Sequence, residues 1–291
     1  IVYGLRYVCV GLMILSVSVR PCLGQEAGEP PPRGIIRSAP PYAPQVLHSE
    51  VLPDNTHLTV IQLPAVADSY IASERPAQNF GADALFLGYN LVGDNFGAER
   101  ILLRFDLERI PATATIHKAY LRLDLNFSSP GEDDPMGTVL RRTASPWDEY
   151  EVTWQKEPSW GEIRASTDIS SVLKTYEWEI TDLVADWVAG TVENYGVEII
   201  GDEQVQQRER AFYAREATTG SPPYLLINYI VVDDEQPPIV TVESLSTYSP
   251  RSFTVSWHGE DQGGAGIHHY DVQYRVDEGA WVDWITGAEL T

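Results

Sequence analysis

The stretch DNFGAERILLRFDLERIPATATIHKAYLRLDLNF, Asp94–Phe127, decides the fold class. In RILLRFDL, Ile101, Leu103, Phe105 and Leu107 alternate with Leu102, Arg104 and Asp106. Alternation at period two marks a strand with one buried face. AYLRLDL repeats the pattern, and ERIPATATI between the two runs reads as a turn with φ fixed at Pro111. The runs are therefore expected to pair, with Arg104 and Arg122 placed to meet Asp106 or Asp124 across the sheet. No nucleophile stands beside a base here and there is no phosphate loop, so the segment reads as scaffold.

The same rhythm extends outward through LTVIQLP, DALFLGY, GVEIIG and YLLINYIVV, separated by Pro, Gly, Asn and Asp. Many short strands at such spacing point to an all-β antiparallel sandwich or barrel. One segment departs from it. In TDLVADWVAG, Leu183, Val184, Trp187 and Val188 fall on one face of a helix, with Thr181 as N-cap, Asp182 in the first turn and Gly190 as C-cap. A single short helix is expected, with Trp187 as a core plug.

The 291 residues suffice for two domains, and 43% apolar content suffices for real cores. Residues 1–24 read as a secretory signal: Arg6 flanks an apolar run from Val8 to Val19, and Cys22-Leu23-Gly24 permits cleavage before Gln25. The run is short for a membrane span, and an uncleaved N-terminal anchor is the competing reading. Both cysteines, Cys9 and Cys22, lie in this segment, so the mature chain has no thiol chemistry. Loss of Arg6 and Arg20 takes the net charge from −22 to −24. Such a chain repels nucleic acid and anionic lipid. Residues 25–58, with EPPPRG and SAPPYAP, read as a Pro-rich disordered linker, and VDDEQPP, Val232–Pro238, as a second one. The chain begins at Ile1, as a fragment would. It stops at Thr291, roughly half a sandwich module of about 100 residues past that second linker.

Six pieces then occur in one order: ADSYIASERPAQNFG, RILLRFDLERIP, ATIHKAYLRL, SPWDEYEVTWQKEP, WEITDLVADWVAGTVENYGVEIIG and FYAREATTGSPPYLLINY. Together they resemble the DNRLRE domain, a β-jelly-roll grouped with carbohydrate-binding module family 96. The resemblance implies an antiparallel jelly-roll sandwich over residues 59–232 and an exported, non-catalytic module of a bacterial or archaeal surface. The implied partner is a polysaccharide or cell-surface matrix, for some members alginate. A structural surface unit with no sugar ligand, and the targeting arm of a degrading enzyme, are the alternatives. The tail from residue 239 is similar to a fibronectin type III or Ig-like spacer, incomplete here. Its FTVSWHGED segment places Trp257 in a core. A monomeric module in a longer chain is expected.

Sugar binding uses flat aromatic faces and a few polar groups that fix hydroxyls. SPWDEYEVTWQKEPSWGE is the richest region, with Trp147, Tyr150 and Trp160 as candidate ligand contacts and Trp154 read as inward-facing. Tyr89 and Tyr195 are weaker candidates. A uronate polymer needs cations, which Arg141, Arg142 and Lys156 supply, with Arg164 nearby and a second group at Arg208, Arg210 and Arg215. A structural calcium ion is a further expectation. Asp68, Asp94, Asn95 and the loop Gly131-Glu132-Asp133-Asp134 are its oxygen-rich candidates, with no EF-hand spacing. His268 and His269 point to opposite faces of a strand and make a poor zinc site. There is no G-x-S-x-G elbow and no H-E-x-x-H.

Overall fold

The alternating runs become strands in the computed structural model, which describes residues 28, 30–31, 33, 42–53, 56–91, 93, 95–131, 135–204, 207–232, 238–244, 252–260, 267 and 269–288. The strands are β1 (Gln45–Val51), β2 (Thr56–Ala72), β3 (Leu85–Asn90), β4 (Gly97–Phe105), β5 (Thr115–Ser129), β6 (Met136–Thr143), β7 (Trp160–Ile169), β8 (Thr175–Glu179), β9 (Val197–Ile200), β10 (Arg208–Phe212) and β11 (Tyr224–Val232). All their pairings are antiparallel. Two long strands turn corners. Thr56–Pro64 of β2 pairs with β11 while Ala65–Ala72 pairs with β4, with a register shift at Ala65/Ala67. Likewise β5 pairs with β11 up to Arg122 and with β10 from Leu125. Pairing thus closes a circuit β2–β11–β5–β10–β3–β4, from which β9, β6 and β7 continue as a wing. This is an all-β jelly-roll sandwich with one short helix, α1 (Thr181–Val188).

Alternation sorts side chains as expected. Ile101, Leu103 and Phe105 enter the main core with Tyr70, Phe86, Phe127, Trp178 and Phe212. Leu102 faces the other way, into a small second core with Ala67, Ile71, Trp147 and Val152. The expected pairing of RILLRFDL with AYLRLDL does not occur. β4 lies against β2, β3 and β9, and β5 against β8, β10 and β11. Two tight turns, Ile110 N to Leu107 O at 2.9 Å and Ala114 N to Pro111 O at 2.9 Å, make ERIPATATI a crossover between sheets. Arg104 accordingly donates to Trp147 O at 3.2 Å, and Arg122 pairs with Glu177 at 2.9 Å, in place of Asp106 or Asp124.

The helix is capped differently from the sequence expectation. Ile180 is its N-cap, and Thr181 instead accepts a hydrogen bond from Ala119 N at 3.1 Å, which ties α1 to β5. Trp187 is buried as expected, and Gly190, at φ +69°, follows the C-cap Ala189. Among the described residues no helix is long and apolar enough to cross a membrane. The tail holds two ribbons, β12 (Ile239–Val242) with β13 (Trp257–Glu260) and β14 (Tyr270–Tyr274) with β15 (Val282–Ala288). Trp257 is half-buried, its ring edge-on to Tyr270 at 6.3 Å. Residues 1–24 and 233–237 lie outside the described residues.

Described residues of the segment read as a linker contribute to the domain. Gln45–Val51 forms β1 on the edge beside β2, and Thr56–Leu58 begins β2. Every β1 side chain is exposed, so the strand carries no alternation signal and is held through its backbone. Further upstream, Arg33 inserts its guanidinium between Glu99, at 2.6 Å, and Glu209. It also donates to Tyr70 Oη at 3.0 Å and lies 3.5 Å from the Phe86 ring centroid and 3.9 Å from that of Phe96. Burial opposes the Arg33 charge, but Glu99, Tyr70 and Glu209 outweigh it and raise its pKa. Burial, then Glu209, holds Glu99 well above the ordinary carboxylate range.

Removing one partner of a buried ion pair leaves the other uncompensated, at a cost of roughly 3–5 kcal/mol. Arg33→Met is expected to destabilise the protein by about that much in urea unfolding. Adding Glu209→Gln should recover part of the loss. An unchanged midpoint in Arg33→Met would show that residue 33 does not neutralise this pair.

Candidate functional site

The outer face of β4, β9 and β6 is a lattice of arginines and tryptophans. β4 turns Arg100, Leu102 and Arg104 away from the main core, and β6 places Arg141 opposite Glu198 of β9. The connection from β6 to β7 folds back over this face. Its anchors are Asn79 Nδ2 donating to Glu149 O at 2.8 Å and to Val152 O at 2.7 Å, and a short 3-10 turn at Trp154–Lys156 capped by Thr153. Each arginine then meets a ring. Arg100 lies 4.5 Å from the Trp154 centroid, Arg104 5.6 Å from Trp147 and Arg141 4.2 Å from Trp160. Cation–π contact of this kind is strongest where the cation is desolvated.

Carboxylates hold the arginines. Arg141 pairs with Glu198 and, at 2.8 Å, with Glu157. Arg100 pairs with Glu157 at 2.7 Å and Glu203 at 2.6 Å. Burial, then a hydrogen bond shared with Glu157, pushes Glu198 up to about 8. Further along, Glu162 joins Arg142 at 3.0 Å and Arg164 at 2.6 Å, and Arg164 also reaches Asp186 of α1 at 2.8 Å.

The structure divides the sequence candidates. Trp160 and Tyr150 are both 58% exposed, and Lys156 is exposed. Trp147 is not available as a platform. It is 8% exposed, its ring fills the second core, and its Nε1 donates to Tyr195 O at 2.8 Å. Arg141 is also buried, and its two glutamates make it a brace behind Trp160 rather than a free cation. Trp154 packs partly buried against the second core, while Tyr89 and Tyr195 are half-buried. The second arginine group disperses: Arg208 pairs with Asp202 at 3.2 Å, Arg210 is fully buried, and Arg215 pairs with Glu149 at 2.7 Å. Trp160 is therefore gathered with Arg141, while Arg142 and Arg164 meet separately at Glu162, and Tyr150 adjoins Glu149, Glu216 and Arg215.

Of the oxygen-rich calcium candidates, Asp94 and Glu132-Asp133-Asp134 lie outside the described residues, as does His268. Asp68 is buried and meets Glu149 and Glu216, two acids that no local spacing singles out. The bracing residues Arg100, Glu157 and Glu198 were equally invisible, since each reads in sequence as one more surface charge.

A sequence model of carbohydrate-binding module family 96 matches residues 59–229. No curated protein matches the chain.

The state of Glu198 has a measurable consequence. A carboxyl raised in the folded state stabilises fully below its unfolded value, about 4.3, and that contribution is lost as pH rises through about 8. Unfolding free energy should therefore fall across this window, by up to about 1.4 kcal/mol per pH unit for one group. Arg100, Arg141 and Glu157 face this carboxyl. Glu198→Gln should have the shallower slope when both proteins are unfolded in urea from pH 5 to 9. Identical slopes would mean that Glu198 is ionised throughout.

Proposed function

The chain belongs to carbohydrate-binding module family 96, and from that premise we propose that it binds an acidic polysaccharide, of the uronate type, on the surface around Trp160. One observation carries this reading. Trp160 is a large aromatic ring left more than half exposed, yet its orientation is set from behind by a buried guanidinium. Arg141 is itself fixed by Glu157 and Glu198, so the indole is pre-positioned and little side-chain freedom remains to be lost on binding. A sugar ring stacks on such a face through its C–H surface.

Charges carried close to Trp160 along β6 and β7 favour a carboxylated sugar. Arg142 and Arg164 share the exposed carboxylate of Glu162, a solvent-accessible pairing of small net worth. A uronate carboxylate can take its place and gain a bidentate partner. The strongly negative chain as a whole opposes a polyanion, so binding depends on this local cluster and weakens with salt. The leader-like residues 1–24 and the absence of cysteine beyond Cys22 support action outside the cell, where such polymers occur. In this reading the module is non-catalytic and acts as one unit of a longer surface or secreted chain, with the fibronectin-like tail as spacer.

Affinity electrophoresis of the full chain against alginate, polygalacturonate, xylan, chitin and cellulose tests the reading. Retardation is expected in the two uronate gels. Trp160→Ala should weaken it by about tenfold or more, the worth of a stacked aromatic anchor. Arg142→Ala should weaken uronate binding and flatten its salt dependence. Trp147→Ala is expected instead to lower stability. Retention by no polymer, from folded protein, would sink the proposal and favour a structural surface unit.

A further inference from the structure

We propose that Asp68, Glu149 and Glu216 form a calcium site, separate from the Trp160 surface. The three come from β2, from the β6–β7 connection and from the loop after β10. One ligand oxygen from each can be chosen so that all lie within 4.8 Å of one another. Their exposures are 1%, 7% and 3%. Three carboxylates gathered away from water must either keep protons or be held by a cation.

Arg215 answers only part of this charge. Its backbone N–H donates to Asp68 Oδ2 at 2.8 Å, and its Nη1 donates to Glu149 Oε1 and Oε2 at 2.7 and 2.9 Å. Asp68 N donates to Glu149 Oε1 at 3.0 Å. These bonds fix Asp68 and Glu149. Glu216 is different: both of its carboxylate oxygens are buried and neither has a hydrogen-bond partner. A buried carboxylate beside two others, with neither oxygen partnered, calls for a proton or a cation. Against one guanidinium, three ionised carboxylates leave two negative charges, which a divalent ion balances.

The donor set selects the ion. All three ligands are hard oxygens, which suit calcium or magnesium and not zinc or copper. Oxygens held 2.3–2.6 Å from calcium sit up to about 5 Å apart, whereas the shorter bonds to magnesium would draw them to about 4 Å. Separations bounded by 4.8 Å are compatible with the longer calcium bonds. Glu216 also lines a cleft of about 180 Å³ together with Asp83, Asn126 and Tyr213. Asp68 and Glu149 do not line this cleft, so water or other groups must complete a coordination shell of six to eight from elsewhere as well.

The test uses the full chain, stripped with chelator and then titrated with calcium chloride or magnesium chloride. At about a hundredfold excess over the Kd, calcium should raise Tm by roughly 5–10 °C. Magnesium should raise it less. Terbium should give emission sensitised by Tyr150 or Tyr213, displaced by calcium. Glu216→Gln, which removes no hydrogen bond, should fold and lose both responses, while Glu193→Gln, at an exposed position elsewhere, should keep them. Calorimetry on the wild type decides the matter independently of any variant. No heat of calcium binding, an equal shift from magnesium, or an undiminished response in Glu216→Gln would each overturn the site.

Discussion

The Arg33 guanidinium wedged between Glu99 and Glu209 shows the constraint to which much of this structure answers: a carboxyl taken out of water must meet a cation or keep its proton. The two glutamates stand on either side of Gly88, which pairs with Glu99 on β4 and with Glu209 on β10. Gly88 has φ +109°, and a Cβ there would collide with the Arg208 carbonyl, so the three strands can close up only around a glycine. That closeness brings the two acids within reach of a single guanidinium. The aromatic rings of Phe86 and Phe96 then shield the ion pair from water, which strengthens it and raises the cost of losing either side. Arg33, in a proline-rich stretch of the sequence, is thereby tied to the domain.

The same constraint recurs on the outer face, where it shapes function. Glu198 sits in the sheet, Arg141 beside it, and Trp160 over Arg141. A buried charge is thus transmitted outward, one contact at a time, to an exposed indole. Two other tryptophans of the neighbourhood serve a different end. Trp147 and Trp154 fasten the β6–β7 connection down on the second core. What separates a platform from an anchor is therefore which side of the strand the ring leaves and whether a loop covers it.

That connection also joins the two sites. Glu149 near its start enters the acidic cluster with Asp68 and Glu216, and Glu157 near its end braces Arg100 and Arg141. Between them, Asn79 holds the backbone at Glu149 and Val152. One ordered loop thus carries a ligand of the proposed cation site and a support of the proposed sugar platform.

Period-two alternation in the sequence determined β2, β3, β4, β5, β9 and β11, which of their side chains face the core, and the all-β class, because a strand's pleat assigns faces locally; the single helix came from its own i, i+4 spacing. It also placed Trp154 inward and Trp160 near a turn. Only the tertiary structure decided which strands are neighbours, and so gave β4 and β5 different partners despite their adjacent, matching patterns. It alone buried Trp147 and converted Arg141 from a candidate ligand contact to a brace. It alone drew Arg33 to Glu99 and Glu209, and Asp68 to Glu149 and Glu216. The physical reason is common to all of these. Local pattern states which side of its own strand a residue occupies. The partner of a charge is set by long-range packing, and in a chain with 42 acids no spacing marks the few that are buried.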